Sequence, residues 1–228
     1  EKQKAINSLV VLQGAAGETL VNSLLDQLAA GSLAPELSLD LLQVVDQMES
    51  EDLQAKKAAY EAAKPEGDVI AEFQETLYGG NVRKGGRLFF MDNSAQCVRC
   101  HVVNGFGGEV GPDLTEIADD LSREALLESL VDPNARLAPG YGTVSLTLND
   151  GKDIVGTLME ENDQAIVVKV GEDAPQNIAI TEIKSKQYLP SAMISMRDVM
   201  SKSELRDLIS FLVILKKDSS VDLQGLLQ

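Results

Sequence analysis

The sequence contains no tryptophan, one histidine and two cysteines among its 228 residues. Three nitrogen or sulfur ligands are too few for a structural zinc site, which needs four. No run of apolar residues is long enough to predict a membrane-spanning helix. Basic residues are also scarce, since 20 lysines and arginines face 36 acidic residues and the net charge is −16. This charge argues against nucleic acid and anionic membrane surfaces as partners, because both attract basic patches.

The acidic excess is concentrated in the first third of the chain. Residues 1–77 carry fourteen acidic residues, five lysines and no arginine. Such a surface keeps a protein soluble, and it can also attract a basic redox partner, so both interpretations stay open. The chain begins at Glu1 without a methionine or a leader, and we therefore expect a mature or excised fragment.

Both cysteines and the only histidine stand together in the pentapeptide Cys97-Val98-Arg99-Cys100-His101. C-x-x-C-H is the attachment sequence of c-type haem, in which each thiol adds to one vinyl group of the porphyrin. The imidazole that follows reaches the iron as the proximal ligand. The pentapeptide therefore predicts one covalently bound haem c, with His101 as an iron ligand.

Other chemistries for the pentapeptide have less support. A thioredoxin-like dithiol places C-x-x-C at a helix start within a βαβ pattern, and no such pattern surrounds these residues. A disulfide between cysteines three positions apart would close too small a loop to constrain the unfolded chain. Redox thiols and an incomplete metal site remain as the alternatives to haem.

The residues before the pentapeptide predict helices. Apolar residues recur at helical spacing through 2–77, with breaks at Gly14–Gly17, Gly31–Ser38 and Lys64–Gly67. This succession predicts either a HEAT-like helical arm over 1–77 or an ordinary helical bundle. A further helix is predicted over 82–91.

Glycines surround the pentapeptide on both sides. Gly85 and Gly86 in the predicted helix before it would permit a close helix crossing. The stretch Gly105–Gly108 after it follows no predicted strand, so we reject a dinucleotide-binding loop. We expect these glycines to let the backbone run close to the porphyrin. Another helix is predicted over 122–131.

From residue 141 the apolar period changes to two. Asn149-Asp150-Gly151 is a strong hairpin signal, and four or five antiparallel strands are expected to form an inserted β-barrel or sandwich over 141–188. A capping box at Ser201 to Glu204 predicts the start of the last helix. The expected fold is mainly α with an inserted small antiparallel β module, followed by a polar tail over 218–228.

With one histidine in the chain, the second axial ligand must be another residue type. Methionine is the usual alternative in cytochromes c. Met193 and Met196 lie in a loop just before the last helix, and both are candidates. Met200 is better explained as half of the hydrophobic staple at that helix cap.

Ordered landmarks over residues 79–215 resemble the haem-binding cytochrome c domain of secreted proteins from the Planctomycetes–Verrucomicrobia lineage. They are Gly79-Gly80-Asn81, Gly85 with Phe89, the pentapeptide, the segments 108–114, 130–134 and 138–141, Asp150-Gly151, Ser191-Ala192-Met193, and 204–208. The resemblance covers about three-fifths of the chain. It implies a class I cytochrome c fold formed by two segments, 78–140 and 189–217.

The resemblance also implies roles for individual residues. The Pro112 carbonyl would accept a hydrogen bond from Nδ1 of His101, and Leu114 would pack on the haem face. Met193 would be the distal ligand. The family usually has proline after this methionine, whereas this chain has Ile194 and Ser195, and this departure keeps Met196 as the alternative ligand.

These observations predict a monohaem c-type cytochrome domain that transfers single electrons and is not itself an enzyme. The resemblance implies a periplasmic or otherwise secreted location, and a redox partner protein or attached dehydrogenase domain as electron donor. The alternative is a haem-based ligand sensor or peroxidase-like enzyme with an open sixth position. A third interpretation is a protein whose helical arm and β module serve mainly in interactions.

Overall fold

The computed structural model describes residues 2–11, 14–217 and 225. Its α-helices are α1 (Lys2–Asn7), α2 (Ala15–Ala29), α3 (Ser38–Asp46), α4 (Glu51–Ala62), α5 (Val69–Phe73), α6 (Val82–Met91), α7 (Ile117–Asp120), α8 (Arg123–Val131) and α9 (Lys202–Leu212). Its strands are β1 (Val102–Val103), β2 (Phe106–Gly107), β3 (Gly142–Leu148), β4 (Asp153–Glu161), β5 (Ala165–Lys169), β6 (Gln176–Ala179) and β7 (Ile183–Tyr188). Apart from residue 225, the tail expected over 218–228 lies outside the described residues. Within the described residues, no helix combines the length and apolar character needed to cross a membrane.

Helices α1 to α4 surround one apolar core. Val21 of α2, Leu41 and Val44 of α3, and Leu53 of α4 are almost completely buried in it. Pro35 begins a short 3-10 helix ahead of α3, where its fixed φ and missing N–H suit a helix start. Hydrophobic burial on one face of each helix therefore holds this group together.

A second core lies between α6, α8 and α9 and includes the region of the pentapeptide. Helices α6 and α9 approach most closely at Gly85, where a Cβ atom would lie 2.0 Å from the backbone oxygen of Asp207. The predicted capping box of α9 is confirmed, because Ser201 and Glu204 exchange side-chain and backbone hydrogen bonds. Phe89 and Phe211 pack together in the same core, with ring centroids 5.7 Å apart.

The five longer strands form one antiparallel sheet in the order β6-β5-β4-β3-β7. The two edge strands are joined by only residues 180–182. In a flat sheet the edges of five strands would be roughly 19 Å apart, more than the roughly 14 Å that this short link can span. The sheet must therefore curl, and it encloses its own core around Val144, Leu146 and Ile166.

The prediction of a mainly α chain with a class I cytochrome c fold is wrong. The residues that the structure describes are mixed α and β, with 46% in helices, a five-stranded antiparallel sheet and a second sheet of two strands. The physical reason is that the expected β module forms a full five-stranded sheet with its own apolar core, so it is a main structural unit and not a minor insertion into a helical fold. A further hairpin, β1–β2, forms in the glycine-containing stretch, where no strand was expected.

Two buried charge clusters connect the N-terminal helices to α9. Arg206 donates from Nη1 to Asp40 Oδ2 at 2.5 Å, and Asp40 also accepts from Gln3 and Asn7 at 3.0 Å each. In the second cluster, Glu75 is buried and accepts from Tyr60 and Lys64 at 2.7 Å, with Lys202 of α9 at 3.3 Å. These contacts fix α9 against the preceding helices.

We expect Glu75→Gln to destabilise the protein by about 3 kcal/mol, because it removes the buried carboxylate charge that pairs with both Lys64 and Lys202. Burial opposes ionisation of Glu75, but hydrogen bonds from Lys64 and Tyr60 and the Lys202 charge outweigh it and lower the pKa of this carboxyl. The stabilisation is therefore present above the ordinary carboxyl pKa of 4.5 and is lost as the pH falls through the lowered value. Urea unfolding of both proteins across this pH range measures the difference.

Glu161→Gln is the matched control for this variant. Glu161 pairs with Lys186 and Tyr188 at the surface, where an ion pair contributes about 1 kcal/mol or less. Equal losses of unfolding free energy in the two variants would contradict the role of burial at Glu75.

Candidate functional site

The pentapeptide begins in a single turn of 3-10 helix after α6. Gln96 has a left-handed backbone with φ of 50°, which turns the chain into the 3-10 helix Cys97–Arg99. The N–H groups of Cys100 and His101 both donate to the carbonyl oxygen of Cys97, at 3.1 and 2.9 Å. Cys97 packs against the core between α6 and α9, whereas Cys100 is exposed. The two thiols are free within this turn.

A short hairpin follows the pentapeptide directly. Strands β1 and β2 are joined by Asn104 and Gly105, whose φ values of 51° and 79° are both positive, as a type I′ turn requires. The side chain of Val103 is fully buried and anchors the hairpin to the core. The hairpin reverses the chain, so that the glycine-rich stretch returns to the pentapeptide.

Backbone hydrogen bonds hold the returning stretch against the pentapeptide. Gly108 donates to the Val98 carbonyl at 2.9 Å, and Gly111 donates to the Cys100 carbonyl at 2.7 Å. A Cβ atom at Gly107 would lie 2.0 Å from the His101 backbone oxygen. The glycines are therefore needed for close approach to the pentapeptide itself, and their expected contact with a porphyrin stays a prediction.

The imidazole of His101 is held by the same stretch. Nδ1 of His101 lies 2.9 Å from the carbonyl oxygen of Pro112. A carbonyl can only accept, so Nδ1 carries a proton, and in the neutral ring this tautomer leaves the lone pair on Nε2. A Cβ atom at Gly111 would lie 2.6 Å from Cε1 of the ring, so only glycine leaves room for the imidazole here. The arrangement presents an oriented imidazole whose Nε2 can coordinate a metal ion.

Leu114 lies after this segment and is held by β1. Its N–H donates to the Val102 carbonyl at 2.8 Å, and its side chain is partly buried against the central core. The neighbouring turn is closed by Asp113, which accepts from Thr115, and Thr115 in turn accepts from the Asn104 N–H at 2.9 Å. The hairpin and the 111–115 segment thus form one hydrogen-bonded unit.

The two candidate methionines occupy different environments. Met196 is 3% exposed, and its N–H donates to the Leu130 carbonyl at 2.8 Å, so its side chain is part of the core. Met193 is partly buried at the edge of the same core. The structure thus brings Met193 to the apolar cluster that also receives Cys97 and Leu114.

The thiol environment also bears on the dithiol alternative. Burial raises the pKa of Cys97 to about 11, and the nearby Asp92 carboxylate acts in the same direction. Reactive C-x-x-C thiols instead have a lowered pKa, which gives them thiolate character at neutral pH. This environment disfavours a redox-active dithiol at Cys97.

The type I′ turn and the Gly111 contact were not expected from the sequence. Asn104-Gly105 between the apolar residues Val103 and Phe106 is itself a strong hairpin signal. The contact between Gly111 and the imidazole has no local signal, because it depends on the whole path of the hairpin.

No protein-family model matches this chain, and no curated protein shows significant similarity to it. The chemistry of the site therefore rests on the pentapeptide and on the contacts of His101.

The histidine geometry gives a direct prediction for the protein made without haem attachment. At alkaline pH, His101 should hold its proton on Nδ1, because the Pro112 carbonyl accepts it. His101 is the only histidine, so its ring nitrogens give one unambiguous pair of NMR signals. Gly111→Ala should displace the ring and shift the population towards the Nε2-protonated form, and an Nε2-protonated wild type would contradict the assigned hydrogen bond.

Proposed function

We propose that this protein binds one haem c covalently through Cys97 and Cys100 and transfers single electrons. The observation that carries the proposal is the His101 imidazole, whose Nδ1–H is engaged by the Pro112 carbonyl and whose Nε2 is left free for iron. This contact is typical of metal-ligating histidines, which donate their second nitrogen to a nearby oxygen. It stands directly after two free thiols with the spacing of a haem attachment sequence.

The residues present have the donor types that haem c requires. Two thiols can form the thioether links, one neutral imidazole can bind the iron, and apolar side chains of Cys97, Leu114 and Met193 meet at one core. When bound, the haem supplies an iron centre that cycles between two oxidation states. The protein orients His101 through Pro112 and Gly111, and its apolar cluster excludes water from this region.

Met193 is the proposed distal ligand. Its partial burial leaves the thioether at the edge of the core, whereas Met196 is committed to packing inside it. Thioether sulfur stabilises ferrous iron and raises the reduction potential, which suits an electron carrier.

The proposed partner is a redox protein or an attached dehydrogenase domain, and the proposed location is periplasmic or otherwise secreted. Support for both comes from the resemblance of residues 79–215 to domains of secreted proteins. The net charge of −16 would favour a partner with a basic docking surface.

The test is expression of the chain together with a haem-attachment system, followed by intact mass measurement and absorption spectroscopy. We expect the polypeptide mass plus one haem, and in the oxidised protein an absorption band at about 695 nm, here called the methionine band. A mass equal to the bare chain would refute haem attachment. Covalent haem without the methionine band, together with tight binding of added ligands, would favour the sensor or peroxidase-like alternative.

A further inference from the structure

The loop that carries Met193 is attached to the C-terminal end of α8. Ser191 donates from its N–H to Asn134 Oδ1 at 2.8 Å. Ser195 donates from its hydroxyl to the Val131 carbonyl at 2.7 Å. The two attachments lie two residues before and two residues after Met193, so they enclose the methionine in a five-residue span.

The attachment has a clear physical cause. The last carbonyl groups of a helix have no partner within the helix and have to be satisfied elsewhere. Pro133 ends α8, and the loop supplies donors to carbonyl groups at this helix end. The Met196 N–H donates to the Leu130 carbonyl at 2.8 Å, and the Ser195 hydroxyl donates to the Val131 carbonyl. Asn134, just beyond the helix end, adds a third contact through its side chain.

The span is also ordered from within. The hydroxyl of Ser191 accepts from the Met193 N–H at 3.1 Å, and the hydroxyl of Ser195 accepts from the Arg197 N–H at 3.3 Å. Each serine therefore connects the loop to α8 and also fixes the loop's own backbone. Between them Ile194 is 55% exposed, so apolar packing at this position contributes little to holding the span.

We infer that Asn134 and Ser195 are positioning residues, which fix the span around Met193 and thereby the sixth ligand of the haem iron. The inference rests on the proposed function and extends it to residues that neither the pentapeptide nor the methionine includes. A free loop would sample many conformations, and it would lose this conformational entropy when the thioether binds iron. Because both ends of the span are already held, less conformational entropy is lost on binding. The thioether therefore occupies the sixth position of the iron in a larger fraction of molecules when another ligand competes for it.

The experiment uses the oxidised protein with covalent haem and titrates it with imidazole, which must displace the thioether. Asn134→Ala removes the hydrogen bond to the Ser191 N–H, and Ser195→Ala removes those to the Val131 carbonyl and from the Arg197 N–H. Each variant should bind imidazole roughly fivefold to tenfold more tightly than wild type, with a weaker methionine band and a lower reduction potential. Asn134→Asp and Ser195→Thr keep the acceptor oxygen and the hydroxyl, and both should restore wild-type behaviour.

Ser129→Ala is the matched control for a general loss of stability. Ser129 lies on the same helix and donates to the Ala125 carbonyl at 2.8 Å, away from the loop. This variant should lose a similar amount of stability in urea unfolding while keeping the wild-type imidazole affinity. An equal change of imidazole affinity in Ser129→Ala, or none in Asn134→Ala and Ser195→Ala, would overturn the inference.

The remaining outcomes separate this inference from the proposed function. A wild type whose mass lacks haem overturns both, and this is established before any titration. A wild type with covalent haem but no methionine band overturns the positioning role and leaves haem attachment standing.

Discussion

Replacing both Cys97 and Cys100 with alanine should abolish covalent haem attachment completely. The two thiols are the only cysteines in the chain, so no other residue can replace either thioether link. Intact mass after expression with a haem-attachment system should equal the bare polypeptide. Each single variant should keep one link at most and show weaker attachment under denaturing conditions.

Arg99→Ala provides the control within the pentapeptide. Arg99 lies between the two cysteines and is exposed, so this change leaves both thiols and the turn in place. Its mass should include one haem, as in the wild type. Haem retained by the double cysteine variant after denaturation would refute thioether attachment, and haem lost equally in Arg99→Ala would point to a folding defect.

Patterns within a few residues were enough to predict several local elements. The helix expected over 82–91 has the bounds of α6, and the capping box at Ser201 is present. Both depend on neighbouring side chains and backbone groups, which the sequence specifies directly. The alternating stretch after residue 141 contains all five strands of the larger sheet for the same reason.

The fold class could not be deduced in the same way. A separate β-barrel or sandwich was expected for the alternating stretch, whereas the second sheet of β1 and β2 was not, because strands of two residues show no apolar period. The hairpin at Asn104-Gly105 had a local signal, but the glycines at 105–108 were expected only to let the backbone run close to a porphyrin.

Contacts between distant residues were the least accessible to sequence reasoning. Asp40 and Arg206 are 166 residues apart, and Glu75 and Lys202 are 127 residues apart, yet both pairs are buried or partly buried contacts between helices. The attachment of Ser191 to Asn134 spans 57 residues. Such pairs form because folding brings these helices and loops together. The apolar periodicity of a single sequence predicts helices and strands, but it does not predict which distant residues will pair.

Met193→Ala should abolish the methionine band, whereas Met196→Ala should leave it in place. Met193 lies in the span held by Ser191 and Ser195 at the edge of the core, where its sulfur can serve as a ligand. Loss of thioether ligation should lower the reduction potential by on the order of 100 mV, because sulfur no longer stabilises ferrous iron. Absorption spectra and redox titration of the two variants measure both effects.

Met196→Ala differs from Met193→Ala in a second, independent property. Met196 is 3% exposed within the central core, so its truncation should cost about 2–3 kcal/mol of unfolding free energy through lost burial and a residual cavity. Met193 is only partly buried, so its truncation should cost less stability in the haem-free protein while changing the spectrum more. If the methionine band were lost in Met196→Ala and kept in Met193→Ala, the ligand would be Met196. In that case the buried side chain would have to leave the core when haem binds, and the haem-free and haem-bound proteins would differ in the packing of α8 against α9.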